Sequence, residues 1–142
     1  MEKFYVKRIT KINKNILGDI NGLLSQWYGK EYRIDPRWLA QVIKNSYLLG
    51  VYDGKNLVGI VTLIEMHKIS GYKGSVEHLM VDEKYRGQKL GEKLMVYAIN
   101  LAKKLKMKDL YLTCEPRRIA ANALYKKLGF EKKESRVYYK NL

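Results

Sequence analysis

The stretch that decides the fold is residues 75–95, "SVEHLMVDEKYRGQKLGEKLM". Its first seven residues predict a strand whose side chains alternate between two faces, with Val76, His78 and Met80 on the same face. The segment from residue 90 onward has apolar residues at helical spacing. These residues are Leu90, Leu94, Ala98, Leu101 and Leu105. The stretch therefore predicts a strand, a loop and a helix in succession.

The loop of this unit, "YRGQKLG" (residues 85–91), has features of an anion-binding turn. Gly87 and Gly91 allow the backbone to approach a ligand closely. The helix that follows offers unpaired N–H groups and the positive end of its dipole, which favours a pyrophosphate. Lys89 stands where a third glycine would be preferred. We expect Lys89 to have the negative φ of a helical residue, and therefore no backbone strain.

Periodicity and turn signals predict the elements before this unit. Residues 4–9 indicate a strand, and residues 12–27 have apolar side chains on one face of a helix. Asp35 and Pro36 indicate the N-cap and first position of a second helix. Asp53-Gly54 joins two apolar runs, which predicts a hairpin.

The segments after this unit complete the predicted order. Residues 109–113 indicate a short strand, Pro116 is expected to open a last helix, and Gly129 is expected to end it. Two strand-like pieces follow within residues 130–140. The order β-α-α-β-β-β-α-β-α-β-β predicts an α/β domain with a mixed sheet.

Length and composition limit the classes to which the chain can belong. The 142 residues, 46% of them hydrophobic, predict a single globular domain over residues 1–142. One cysteine, Cys114, excludes a disulfide framework and a cysteine-based zinc site, so no metal is expected. No apolar run reaches the roughly 18 residues that a membrane span needs. We expect a soluble, cytoplasmic protein with no membrane partner.

The charge of the chain is concentrated in its second half. The net charge is +14; residues 1–82 hold 12 basic and 8 acidic residues, and residues 83–142 hold 16 and 6. The net charge is therefore +4 before the loop and +10 from it onward. Such a field attracts a polyanion, whether nucleic acid, a membrane surface or a phosphorylated cofactor.

A second motif, "AANALYKKLGF" (residues 120–130), adds to the first. Together, "VEHLMVDEKYRGQKLGEKLM" and "ALYKKLGF" resemble the GNAT superfamily of acyl-CoA-dependent N-acetyltransferases. The resemblance implies the GNAT fold, a mixed and mostly antiparallel sheet flanked by helices, and acetyl-CoA as cosubstrate. The family's pyrophosphate loop corresponds to six residues here. They are Arg86, Gly87, Gln88, Lys89, Leu90 and Gly91.

The resemblance also implies contacts for the rest of the cofactor. Backbone groups of Leu79, Met80 and Val81 would hold the pantetheine arm, and Asn122 and Tyr125 would contribute from the second motif. Arg118 stands where many members have an asparagine that contacts the pantetheine, so this chain departs from the family pattern at that position. The Lys89 ammonium is expected to reach a CoA phosphate.

Two residues are candidates for the chemistry of acetyl transfer. An amine with a pKa of about 10.4 is mostly charged at neutral pH, so a base must accept its proton. Glu77 is the candidate base, directly or through a water, with His78 as the alternative. Tyr125 is the candidate acid for the departing thiolate. Cys114 offers an acetyl-cysteine route, although a lone cysteine beside a strand is typical of packing.

These features predict direct transfer, in a ternary complex, to a primary amine of a small molecule or peptide. The acceptor segments, roughly residues 18–37 and 66–74, contain no motif that identifies the amine. The aromatic residues of "SQWYGKEYRIDPRW" (residues 25–38) are candidates to shape an acceptor pocket, although Trp27 and Trp38 lie on apolar stripes, which favours core positions. A homodimer is compatible with these features. Two alternatives remain: a CoA-binding regulatory protein without turnover, and a basic nucleic-acid-binding module. The chain has neither the zinc-ligand spacing nor the aromatic RNA-binding signature that would favour the second alternative.

Overall fold

The structure, a computed structural model, describes residues 2–142. Its described residues form five strands and four α-helices, with a short 3₁₀ turn at Glu83–Tyr85. The strands are β1 (Phe4–Arg8), β2 (Tyr47–Asp53), β3 (Asn56–Lys68), β4 (Gly71–Val81) and β5 (Leu110–Tyr111). The helices are α1 (Lys14–Tyr28), α2 (Pro36–Asn45), α3 (Leu90–Lys104) and α4 (Ile119–Lys127).

The five strands form one mixed sheet in the order β1-β2-β3-β4-β5. The first four strands are antiparallel to their neighbours, whereas β5 is parallel to β4. A parallel pair needs a crossover connection, and α3 supplies it. This α/β arrangement with a mostly antiparallel sheet confirms the predicted fold class.

Helices cover both faces of the sheet, and each face has its own apolar cluster. The cluster beneath α3 and α4 includes Leu49, Val61, Leu63, Leu94, Met95, Ala98 and Tyr125. The cluster beneath α1 and α2 includes Ile9, Ile20, Leu23, Leu39, Leu48, Ile60 and Met80. The sheet is therefore the middle layer of three, and β4 contributes to both clusters.

Local signals in the sequence fix several element ends as predicted. Asp35 caps α2 by accepting a hydrogen bond from the Arg37 N–H at 2.8 Å, and Pro36 is the first helical residue. Gly54 turns the β2–β3 hairpin with a φ of +58°. Gly129, with a φ of +92°, follows the C-cap of α4.

Two predictions for the end of the chain are wrong. Pro116 does not open α4, which begins at Ile119, because residues 115–118 form a turn closed by the Arg118 N–H on the Glu115 carbonyl. Residues 131–142 form no strand and are exposed. Strand β5 is only two residues long, so it offers few ladder partners. Residues 131–136 carry no apolar side chain to bury, whereas Val137, Tyr138 and Tyr139 are apolar but exposed.

Within residues 2–142, no helix combines the length and the apolar character that crossing a bilayer requires.

Candidate functional site

A β-bulge distorts β4 near its C-terminal end. The register against β3 shifts between Glu77 and Met80, so that His78 and Leu79 together oppose one residue of β3. His78 adopts a left-handed conformation with a φ of +54°. The extra residue breaks the alternation of side chains, and Val76 and Met80 consequently pack on opposite faces of the sheet. The expectation that they share a face is therefore wrong.

The edge of β4 that faces β5 is open from Val76 onward, on both sides of the bulge. Strand β5 pairs with β4 only at Gly74 and Ser75, and among residues 2–142 no other strand pairs with this edge. Backbone N–H and C=O groups on the open edge of residues 76–81 are therefore available to an extended ligand. Residues 79–81, predicted to hold the pantetheine arm, lie on this segment.

The loop after β4 is fixed by polar contacts at its start. The Asp82 carboxylate accepts the Lys84 N–H at 2.9 Å, which caps the 3₁₀ turn. The Tyr85 hydroxyl donates to the Asp53 carboxylate at 2.9 Å, across 32 residues of sequence. Arg86 then follows, and its Nε approaches the Val81 carbonyl at 3.4 Å. The loop is thus attached both to β4 and to the β2–β3 hairpin.

Lys89 differs from the prediction, because it precedes α3 instead of lying within it. It is the N-cap residue, in the left-handed region with φ +60° and ψ +27°, and its side chain makes no capping hydrogen bond. The expectation of a negative φ is therefore wrong. The first hydrogen bond of the helix runs from the Lys93 N–H to the Lys89 carbonyl at 3.0 Å. The N–H groups of residues 90–92 are consequently left at the helix end, as an anion site requires.

A cleft of about 390 Å³ brings five of the predicted cofactor residues together. These are Leu79, Met80, Val81, Arg86 and Gly91, and Leu23, Gln26, Trp27 and Arg118 complete the lining. The cleft therefore joins the open edge of β4 to the start of α3.

Other predicted loop residues lie beside a different cleft. Gln88, Lys89 and Leu90 line a shallow cleft of about 410 Å³ next to residues 2–4. Gly87, whose φ is +79°, lies between Arg86, which lines the first cleft, and Gln88, which lines the second. The contact of Lys89 with a CoA phosphate stays a prediction, and it would have to come from this second cleft.

Tyr125 lies on α4 and is buried, with 8% of its surface exposed. Its ring meets Phe130 edge to face, with 6.0 Å between the ring centres. Burial raises the pKa of the Tyr125 phenol, the Arg118 charge opposes that rise, and the Cys114 thiol adds to it. The phenol therefore stays protonated at neutral pH, which a proton donor requires.

Asn122 is held by the backbone of the turn before its own helix. Its side-chain nitrogen donates to the Arg118 carbonyl at 2.8 Å and to the Glu115 carbonyl at 3.0 Å. The side chain thus fixes the start of α4, and its carbonyl oxygen is the atom that remains for a ligand.

Glu77 is partly buried on β4, directly before the bulge. The Ser75 hydroxyl donates to the Glu77 carboxylate at 2.7 Å and thereby orients it. The His78 side chain is exposed, and its ring centre lies 6.4 Å from that of Trp27. Neither candidate base lines the cleft, although both directly precede strand residues 79–81, which do.

Sequence reasoning did not place Leu23, Gln26 or Trp27 in the cofactor cleft, and it named Arg118 only as the replacement for an asparagine. The Arg118 guanidinium lies over the Trp27 ring, 4.8 Å from its centre. Trp27 is 42% exposed and Trp38 is 63% exposed, so the expectation that both belong to the core is wrong. Apolar spacing correctly predicted helices around these tryptophans, but it gave no signal for a contact between residues 91 positions apart.

Comparison with known proteins places this geometry in a family. The model of the acetyltransferase (GNAT) family matches residues 17–130. No curated protein sequence matches this chain significantly.

Solved structures share the fold at low sequence identity. An aminoglycoside acetyltransferase from an uncultured soil metagenomic sample, in complex with sisomicin, is 15% identical, with a TM-score of 0.85 over 99% of this chain and 97% of that one. Glucosamine-6-phosphate N-acetyltransferase from Arabidopsis thaliana is 16% identical, with a TM-score of 0.75 over 98% and 99%. Ribosomal-protein-alanine N-acetyltransferase from Brucella melitensis biovar Abortus 2308 is 18% identical, with a TM-score of 0.77 over 97% and 99%.

Proposed function

Because the chain belongs to the GNAT acetyltransferase family, we propose that it transfers the acetyl group of acetyl-CoA directly to a primary amine. The observation that carries the proposal is the single cleft in which the open edge of β4 meets Arg86 and the start of α3. An extended arm bearing amide groups can pair with such an edge, and a pyrophosphate can accept hydrogen bonds from the helix N–H groups.

In the proposed reaction, Glu77 accepts one proton and Tyr125 donates one. Glu77, oriented by Ser75, accepts a proton from the acceptor ammonium, directly or through a water, so that the free amine can attack the thioester carbonyl. The attack forms the C–N bond of a tetrahedral intermediate, whose nitrogen releases its second proton to solvent, and the C–S bond breaks as this intermediate collapses. Tyr125 donates its phenol proton to the departing sulfur, and the N–H of Leu79 polarises the carbonyl oxygen.

The acceptor is proposed only as a class, a primary amine of a small molecule or a peptide. The three solved structures with this fold are named for an aminoglycoside, a sugar phosphate and a ribosomal protein. The fold therefore does not select among these amines, and the positive charge of residues 83–142 disfavours a strongly cationic acceptor unless acidic groups line its pocket.

Thermal unfolding tests the cofactor assignment without knowledge of the acceptor. A ligand at one hundred times its dissociation constant stabilises the native state by about 2.7 kcal/mol, which for a chain of this size raises Tm by about 5–10 °C. We expect that shift with acetyl-CoA and much smaller shifts with NAD and ATP. A larger shift with NAD than with acetyl-CoA would refute the assignment.

A thiol-release assay with acetyl-CoA over a panel of amines and peptides then tests turnover. Release that depends on an added amine is expected. Binding of acetyl-CoA without release for any acceptor would favour a regulatory role instead.

A nucleic-acid-binding function is the second candidate, and the net charge of +10 in residues 83–142 favours it. The discriminating measurement is salt-dependent retention on DNA in the presence and absence of CoA. If CoA fails to compete and gives no thermal shift, nucleic-acid binding becomes the better assignment.

A further inference from the structure

Lys73 has a side chain that is enclosed on one face of the sheet, with only 11% of it exposed. A lysine is rarely buried to this extent without a polar partner. Its ammonium donates to the Tyr111 hydroxyl at 3.2 Å and lies 3.8 Å from the Asp109 carboxylate. Because the Tyr111 oxygen accepts this hydrogen bond, its own O–H proton is left for another acceptor. Residues 2–142 supply no such acceptor.

A second ammonium lies over the same ring. The Nζ atom of Lys68 is 5.1 Å from the centre of the Tyr111 ring, and that of Lys73 is 5.4 Å from it. Lys68 is exposed, and no carboxylate in the described part of the chain lies within ion-pair distance of its ammonium. Two ammonium groups therefore meet one carboxylate, that of Asp109. We call the side chains of Lys68, Lys73 and Tyr111 the cationic cluster.

The cationic cluster lies one step along the strand from the candidate base. Ser75 is the β4 residue paired with Tyr111, and its hydroxyl donates to the Glu77 carboxylate at 2.7 Å. Lys73, Ser75 and Glu77 occupy alternate positions of β4 before the bulge and therefore project from the same face. With a rise of about 3.3 Å per residue, the positions of Tyr111 and Glu77 differ by about 7 Å along the strand.

This face of the sheet therefore has positive charge on one side of Ser75 and negative charge on the other. A complementary ligand places an ammonium beside Glu77 and an anionic group beside Tyr111. Phosphate and carboxylate groups both suit the second position, because both accept charge-assisted hydrogen bonds from ammonium and phenol groups. Strand β5 ends at Tyr111, so the ammonium end of the ligand lies toward the open edge of β4.

We propose that Lys68, Lys73 and Tyr111 bind an anionic group of the acceptor, and that the acceptor is a small zwitterion. Its phosphate or carboxylate lies about 7 Å from its primary amine, which is the spacing of the two charged positions on β4. The inference rests on the proposed acetyl transfer and names the class of its acceptor. With the anionic end held by the cationic cluster, the amine lies where Glu77 can accept its proton. The cluster repels a dication and gives a neutral amine no advantage.

Two matched pairs of amines test this site. The first pair is 6-aminohexanoate, whose extended chain separates the two charges by about the required distance, and 6-aminohexanamide, which has the same length and no negative charge. The second pair is glucosamine 6-phosphate and glucosamine, and 1,6-diaminohexane serves as the dication. Thiol release at saturating acetyl-CoA gives kcat and KM for each amine. Ligand-observed NMR without acetyl-CoA measures binding separately from turnover.

Three variants assign the effect to the cationic cluster. Lys68→Met removes one ammonium and Tyr111→Phe removes the phenol O–H, and both keep the apolar part of the side chain. Lys103→Met is the matched control, because Lys103 is an exposed lysine of α3, which covers the opposite face of the sheet.

We expect kcat/KM to be about tenfold higher for the anionic member of at least one pair than for its neutral partner, and lowest for 1,6-diaminohexane. The difference should lie in KM, because the anionic group does not touch the reacting atoms, and it should shrink at high salt. Lys68→Met and Tyr111→Phe should each reduce the preference to about threefold or less. Lys103→Met should leave it unchanged. The pair with the larger preference identifies the anionic group as carboxylate or phosphate.

Three results would overturn the proposal. These are equal kcat/KM values within both pairs, a preference that survives in both Lys68→Met and Tyr111→Phe, and thiol release with peptides but with neither anionic amine. If no amine or peptide releases thiol, the proposed acetyl transfer itself fails. The NMR measurement still decides the anion site in that case, because binding of the anionic amines should weaken in Lys68→Met and Tyr111→Phe but not in Lys103→Met. Equal binding in all three variants would refute the site.

Discussion

Replacing Lys89 with glycine should stabilise the folded protein. Lys89 has a φ of +60°, and an L-residue in the left-handed region costs roughly 1–2 kcal/mol. Glycine removes that cost, while its greater freedom in the unfolded chain offsets about 0.4–1 kcal/mol. The side chain of Lys89 is exposed, so no packing is lost. The net gain in the free energy of unfolding is about 0.5–1 kcal/mol, which corresponds to a Tm increase of about 1–4 °C.

Two further variants isolate the cause of this gain. Lys89→Ala removes the same ammonium but keeps the Cβ atom and the strained φ, so its stability should change little. Lys106→Gly relieves a φ of +66° after the C-terminus of α3, where the Met107 N–H donates to the Ala102 carbonyl at 3.0 Å. This position is a normal site for glycine. Lys106→Gly should therefore stabilise the protein by a similar amount.

Urea unfolding and thermal unfolding of the three variants measure these differences directly. The reasoning is refuted if Lys89→Gly is no more stable than Lys89→Ala while Lys106→Gly is stabilised. That pattern would mean that Lys89 does not have a positive φ in solution.

Three predictions concern the proposed reaction. Tyr125→Phe keeps the ring but removes the proton donor, so kcat should fall roughly a hundredfold with little change in CoA affinity. If kcat is unchanged while chemistry limits the rate, the Tyr125 side chain contributes only to packing. Glu77→Gln should lower kcat/KM most at neutral pH and recover in part as the pH approaches the pKa of the amine, about 10.4; a loss independent of pH would indicate substrate positioning. Lys89→Ala should weaken CoA binding about threefold to thirtyfold and reduce its salt dependence, with Lys89→Gly losing less; titrations at low and high salt that give equal affinities would leave Lys89 without a role in binding.

Features that depend on neighbouring residues were predictable from the sequence. The Asp35 cap, the turn at Gly54 and the end of α4 at Gly129 each depend on a few consecutive residues, and the structure confirms all three. The family resemblance in residues 75–130 also came from local motifs, and the match over residues 17–130 confirms it.

Features that depend on distant contacts were not predictable in the same way. The bulge at His78 exists only relative to the register of β3, and period-two alternation contains no information about that partner. The contact between Arg118 and Trp27 joins the start of α4 to the end of α1. The absence of strands in residues 131–142 follows from the shortness of β5, which the strand-like composition of residues 109–113 did not reveal.

Residues with a left-handed backbone conformation lie next to the main-chain groups of the proposed cofactor site. Three residues other than glycine have a positive φ in residues 2–142, and Lys106 is explained by the end of a helix. The other two, His78 and Lys89, flank residues 79–86, which contribute four residues to the proposed cofactor cleft. The left-handed conformation of His78 is part of the bulge beside the open edge of β4, and that of Lys89 directs the chain into α3.

Backbone strain of this kind persists where surrounding contacts enforce it. Here the Tyr85–Asp53 hydrogen bond and the buried Met80 side chain are those contacts. The open edge of β4 and the start of α3 therefore offer main-chain groups to a ligand, independently of the side chains that line the cleft.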